Sequence, residues 1–152
     1  MKTRHLAQAG VVLMLLAPMG AMVRAEDDQM VEYYVLKGVN DAVDLNYDAS
    51  IADNTQALAI DPTFWPAYTN RASAKYEKQD YDGAIEDCTR SIELEPQNSV
   101  AYDIRASSEN AQGAYARAIE DWKKALEFDP SAKTKAKTQP LIDEAQAKLD
   151  HS

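Results

Sequence analysis

"NYDASIADNTQALAIDP", "DYDGAIEDCTRSIELEP" and "AYARAIEDWKKALEFDP" begin at residues 46, 80 and 114, each 34 residues after the last. A gap-free period of this length requires stacked copies of one supersecondary unit, because a single copy cannot hide its own apolar face. The spacing inside the copies names that unit. In the first half, Tyr34, Tyr68 and Tyr102 are each followed four residues later by a small residue, Gly38, Ala72 or Ala106, on the same helix face. In the second half come Tyr47, Tyr81 and Tyr115, then small Ser50, Ala84 and Ala118, then Ile51, Ile85 and Ile119. Another small residue follows two turns on, at Ala57, Ser91 and Ala125.

Small side chains repeating on one face let a second helix approach closely, since anything larger would strain or spread the pair. Each unit therefore reads as two antiparallel helices. Asn46 and Asp80 stand where they cap the second helix, Ala114 punctuates the third copy weakly, and Pro62, Pro96 and Pro130 stop it. The prediction is an all-α chain. The tail, "SAKTKAKTQPLIDEAQAKLD", opens a fourth unit but supplies one helix, with Leu141, Ile142, Ala145 and Leu149 near one stripe. Pro140 suits a helix start, so "KTKAK" before it reads as a linker or a frayed turn.

With three consecutive copies over residues 31–130, the chain resembles the tetratricopeptide repeat family. The resemblance rests on small residues at the eighth, twentieth and twenty-seventh places, Tyr at the fourth and seventeenth, and Pro at the thirty-second. It implies a right-handed α-solenoid of three hairpins, 31–64, 65–98 and 99–132, closed by a linker and capping helix at 133–152. Two places depart from the family pattern. The seventh, usually leucine-like, holds Lys37, Arg71 and Arg105, and the eleventh, usually aromatic, holds Asp41, Lys75 and Glu109. The first helix of each unit is thus less apolar than the pattern expects, and its packing less rigid.

The resemblance also implies a concave groove lined by the first helices. Candidate partner-binding residues are Val35, Val39, Thr69, Asn70, Ser73, Tyr76, Asp103, Ser107 and Asn110, grading from apolar to amide, hydroxyl and acid. Co-chaperones of this family grip acidic tails with a clamp of Lys, Asn and Arg. The corresponding places here hold Val35, Val39, Asn70, Val100 and Ile104, so only Asn70 matches and a carboxylate ligand finds no charge partner.

The chain opens with Lys2 and Arg4, continues through "VVLMLLAPMGAMV", and carries small Val23 and Ala25 before an acidic run. This fits a secretory signal, residues 1–25, followed by a short lead at 26–30, and hence a periplasmic or secreted bacterial protein. An uncleaved anchor is the alternative, against which the apolar run is shorter than the ~20 residues a span needs. Residues 1–25 hold Lys2, Arg4 and Arg24 and no acid, so the formal charge of −9 for the whole chain becomes −12 for residues 26–152. That surface repels phosphate backbones and disfavours nucleic acid.

Little else points to chemistry. His5 lies in the export segment and His151 at the end, so neither is placed for a triad or a metal site. Cys88 is the single cysteine and sits at a packing position, which makes it a structural thiol; an exposed thiol pairing between chains is the alternative. The acid pairs Glu86–Asp87 and Glu120–Asp121 read as a solvated helix face, and "DYDG" as a helix-to-helix turn without the ligand series of a calcium loop. No catalytic residue, metal or cofactor is assigned. The expectation is a non-catalytic adaptor of the cell envelope whose groove holds a protein or peptide, a basic one being favoured. The alternatives are a structural subunit self-associating through its first repeat, a homo-oligomer, and an accessory subunit of an envelope enzyme.

Overall fold

A computed structural model describes residues 19–151. Among these residues there are seven α-helices and no strands: α1 (Met19–Val43), α2 (Tyr47–Ile60), α3 (Trp65–Glu77), α4 (Tyr81–Leu94), α5 (Ser99–Ala111), α6 (Tyr115–Phe128) and α7 (Ala132–Asp150). Each helix packs on the next, and the first helices of successive units, α1, α3 and α5, also touch one another. The result is an all-α solenoid of three hairpins with α7 closing one end. The proposed export signal lies mostly outside the described residues, which begin at its position 19. The described side chains of α1 from Val23 to Met30 are exposed, and packing starts at Val31, 3% exposed. Among the described residues no helix is long and apolar enough to cross a membrane.

The small-residue stripes are the closest points of the stack. Ala72, Ala106, Ala84, Ala118, Ala57 and Ser91 are fully buried, and Ser50 and Ala125 nearly so. At the eighth place of the first unit even a methyl group is too much: a Cβ on Gly38 would stand 2.5 Å from Asn54 Nδ2 and 3.3 Å from the Ser50 carbonyl oxygen. The bulky residues then fill the space beside these stripes. Trp122, 1% exposed, packs with Ala106, Ala118, Ile119 and, from α7, Ile142 and Ala145.

Within each hairpin the turn passes through the left-handed region at one fixed place, Leu45 (φ 61°), Gln79 (φ 62°) and Gly113 (φ 79°). The next amide bonds back five residues, Asn46 N to Asp41 O at 2.8 Å, Asp80 N to Lys75 O at 2.9 Å and Ala114 N to Glu109 O at 2.8 Å. This lock satisfies carbonyls that the helix end leaves open. Asp80 caps α4, its Oδ1 accepting from Gly83 N at 3.1 Å. Asn46, expected to do the same for α2, makes no side-chain cap. The carboxylate of Asp80 occupies space that a Cβ on Gly83 would enter at 2.3 Å, and the first unit carries Ala49 at the place of Gly83. Each second helix ends where Asp61, Glu95 and Asp129 turn extended before proline.

The tail differs from the sequence expectation. "KTKAK" is helical, and α7 runs unbroken from Ala132 with Pro140 inside it. Ser131 caps the start, its Oγ accepting from Thr134 N at 3.3 Å. Proline withholds a donor only from the carbonyl of Ala136, which lies on the exposed side where water can replace it. Buried Thr138, Ile142 and Ala145 hold the helix against the third unit on both sides of the proline.

The basic residues at the seventh place do not loosen the first helices; each ties the two helices of its own hairpin, and the two arginines also reach the preceding unit. Arg71 donates from Nε and Nη2 to the two oxygens of Asp87 at 2.8 and 2.7 Å, and Arg105 likewise to Asp121 at 2.6 and 2.9 Å. Lys37 reaches both oxygens of Asp53 at 2.8 and 2.7 Å. The third donor group of each arginine, Nη1, crosses to the preceding unit, to Thr55 Oγ1 at 3.0 Å and Thr89 Oγ1 at 3.1 Å. The guanidinium carbons also lie over Tyr68 and Tyr102, 5.6 and 5.5 Å from the ring centres. Lys75, at the eleventh place, adds a second cation to Asp87 at 2.8 Å. The solvated-face reading of the acid pairs therefore holds only for Glu86 and Glu120. Asp87 and Asp121 are 2% and 8% exposed, because a bidentate arginine replaces their water.

Glu109, at the eleventh place of the third unit where the second unit has Lys75, has only a looser partner. It is 6% exposed, its Oε2 has no hydrogen-bond partner, and the Arg117 guanidinium stands off at 3.4 Å. Burial pushes its carboxyl above the usual range, and the neighbouring Asp121 adds to the shift. A folded-state value above the unfolded one means the fold holds the proton more tightly. The penalty of the charged form is absent below the unfolded value and complete above the folded one. Glu109→Gln is therefore expected to raise the melting temperature at neutral pH and to leave it unchanged once wild type is protonated, as scanning calorimetry at both pH values would read.

Candidate functional site

Along the face shared by α1, α3 and α5 lie two adjoining cavities that meet at Ser73. The first, about 290 Å³, is lined by Gly38, Val39, Ala42 and Val43 from α1, Ser50 from α2, and Asn70 and Ser73 from α3. Apart from Asn70 and the two serines it is aliphatic. The second, about 360 Å³, is lined by Ser73, Tyr76 and Glu77 from α3 and Asp103, Ile104, Ser107 and Asn110 from α5. Its remaining walls are Trp122 from α6, and Lys137 and Leu141 from α7. An apolar hollow thus continues into a polar, acidic one.

Of the residues proposed from sequence, Val39, Asn70 and Ser73 come together in the first cavity, and Ser73, Tyr76, Asp103, Ser107 and Asn110 in the second. Val35 is half-buried and packs against the core of the first unit. Thr69 is corrected: at 7% exposure it turns inward to a polar knot, its Oγ1 2.8 Å from Ser91 Oγ. Asn98 Nδ2 donates to both hydroxyls, at 2.8 and 3.0 Å, while its Oδ1 accepts from Ala101 N. Small Ser91 opens the space that Thr69 fills. Burial raises the Tyr76 phenol above its usual value, so at neutral pH it stays a neutral donor in the acidic cavity.

The groove read from the sequence has no place for Trp122, Lys137 or Leu141. Trp122 stands at the place held by Asn54 and Cys88 in the earlier units, all three essentially unexposed, so it reads as core. Lys137 lies 34 residues beyond Asp103, and carrying the period into the tail would have found it. Cys88 is fully buried, and that burial pushes its thiol far above the usual range. A thiol in that state neither attacks nor pairs between chains.

Residues 65–98 match the tetratricopeptide repeat family. No curated protein matches the chain. Among solved structures, the first TPR of Spaghetti (RPAP3) bound to the HSP90 peptide SRMEEVD is 24% identical with a TM-score of 0.76, over 80% of this chain and 94% of that one. The NMR structure of the first TPR domain of human RPAP3 is 26% identical with a TM-score of 0.75, over 81% and 97%. The Arabidopsis OM64 TPR domain is 23% identical with a TM-score of 0.74, over 78% and 98%. The second unit matches the family directly, and the units on either side repeat its buried small residues, left-handed turn and cation–aspartate rungs: the chain carries a tetratricopeptide repeat at 65–98 and has the fold of tetratricopeptide-repeat domains.

Proposed function

We propose that this chain is a non-catalytic adaptor that holds a segment of a partner protein along its groove, and that it works in the bacterial cell envelope after export. The observation that carries the first part is the pair of cavities joined at Ser73, one aliphatic around Val39 and Val43, the other polar around Asp103 and Asn110. An extended or helical segment lays alternate or successive side chains into such a trough, while an amide such as Asn70 holds its backbone. The fold is shared with domains that bind peptides, among them the RPAP3 domain solved with an HSP90 peptide. The ligand class differs: this chain has valine or isoleucine where co-chaperones of the family carry the cations that grip an acidic tail. Export rests on the basic, apolar and small-residue order of residues 1–25, and mature protein starting at Glu26 by N-terminal sequencing would support it.

Capture from envelope extract tests the adaptor reading. Val39 is 40% exposed, so Val39→Asp leaves the fold intact while placing a charge where an apolar group docks. The partner's affinity is expected to fall by about tenfold or more, since an unpaired charge in an apolar contact costs roughly 1–3 kcal/mol or more. Equal recovery of every bound protein by wild type, Val39→Asp and Asn70→Ala would defeat the proposal. One observation favours self-association as a second reading: Tyr33, Leu36 and Val43 on α1 are 54%, 65% and 74% exposed. A dimer seen by light scattering whose population does not depend on dilution, and which Leu36→Asp abolishes, would select it.

A further inference from the structure

The polar cavity has more hydrogen-bond acceptors than its own protein can satisfy. Asp103 Oδ1 and Asn110 Oδ1 are shielded from solvent and have no partner, and on the same walls the buried Trp122 leaves Nε1 unpaired. Buried polar atoms normally find partners, water included, so three orphans beside one hollow mark it as a place where a ligand's polar groups can be taken up. Trp122 is 1% exposed and fixed by the core of the third unit, which makes this floor a built feature rather than a surface accident.

The charge of the hollow says what the occupant brings. Among the described residues its lining carboxylates are Glu77 and Asp103 and its lining cation is Lys137, which already donates to Asp103 Oδ2 at 2.6 Å from a side chain that is 65% exposed. An anionic group would meet two carboxylates and no free counter-ion, whereas an ammonium or guanidinium would supply donors to both orphaned oxygens once the Asp103 and Asn110 side chains turn toward it. At about 360 Å³ the hollow is at the small end of ligand pockets, ~300–1,000 Å³, the scale of one long side chain rather than a whole cofactor.

We propose that this cavity is a subsite for a lysine or arginine side chain of the bound partner segment, with Asp103 as counter-ion and Asn110 as second acceptor. The inference rests on the groove reading above and specifies its ligand. Lys137 is then a resident competitor: the closing helix reaches back into the groove and lends Asp103 a cation until the partner brings its own. Trp122 Nε1 remains to donate to a carbonyl of the segment or to a water carried in with it.

An array of N-acetylated, C-amidated decapeptides of random sequence, probed with the cleaved protein, tests this without terminal charges. Bound sequences are expected to be enriched in Lys or Arg at a fixed spacing from an apolar residue. Changing that basic residue to Gln should weaken binding to wild type by about tenfold, the worth of a charge-assisted hydrogen bond, and by less than about twofold in Asp103→Asn. Lys137→Gln, which removes the competitor, should tighten binding of the same peptides several-fold; weaker binding would show that Lys137 is only a wall. Peptides that need Val39 but show no basic preference, that prefer acids, or that keep the preference in Asp103→Asn overturn this inference and leave the groove standing. Binding indifferent to Val39→Asp, or no binding at all, overturns the groove and the subsite together.

Discussion

Asp87→Ala is expected to lower the unfolding free energy by about 3 kcal/mol, the lower end of what losing one member of a buried ion pair costs, and the melting temperature by on the order of 10 °C. Arg71 and Lys75 both close on this carboxylate, and their side chains are only 18% exposed, so removing it leaves two half-buried cations with their donors unpaired. Urea unfolding of the variant measures the loss. Asp53→Ala provides the contrast within the same repeat pattern. Its partner Lys37 has a side chain 48% exposed, so water takes over and the cost should stay below about 1 kcal/mol. Equal losses at Asp53 and Asp87 would mean that helix propensity, not the buried rung, sets the effect.

Trp122→Ala should cost roughly as much, about 3–5 kcal/mol, because the indole fills the centre of the last core and no neighbouring side chain can collapse into so large a void. Trp122→Phe separates packing from hydrogen bonding. It keeps most of the apolar volume and removes an N–H that has no protein partner, so its cost should be less than half that of the alanine variant. Thermal unfolding of the two variants side by side checks the order, and an equal loss would place the energy in the indole nitrogen rather than in the filled space.

The hairpins and their stacking were legible in the sequence because they depend on size at fixed spacing. Ala84 and Ala118 could be placed at close approaches from the bulky residues around them, and both are fully buried. The rungs were not legible, because Arg71 read alone is a polar departure in an apolar place and Asp87 read alone is half of an acidic pair. Their meaning lies in a separation of 16 residues across two helices, which no single-helix periodicity displays. Thr69 misled for a related reason: groove position by family pattern counts places, whereas its direction was decided by room left beside Ser91 on another helix. Pro140 was overweighted as a local breaker, since burial of Thr138 and Ile142 on either side outvotes one lost backbone bond. In the groove, the residues of α3 and α5 followed from the period, and Lys137 follows from it once it is carried into the tail, while Trp122 entered from α6, whose contribution depends on how the stack closes.

Each arginine rung spans a boundary, joining its own unit's aspartate to a threonine one unit earlier. The interlock is therefore written wholly inside the repeating text: a duplicated copy of residues 65–98 would present its arginine to Thr89 just as Arg105 does now, and its own threonine to whatever followed. Length in such a chain is open to change by gene duplication without a new interface having to arise, and the groove would lengthen in step.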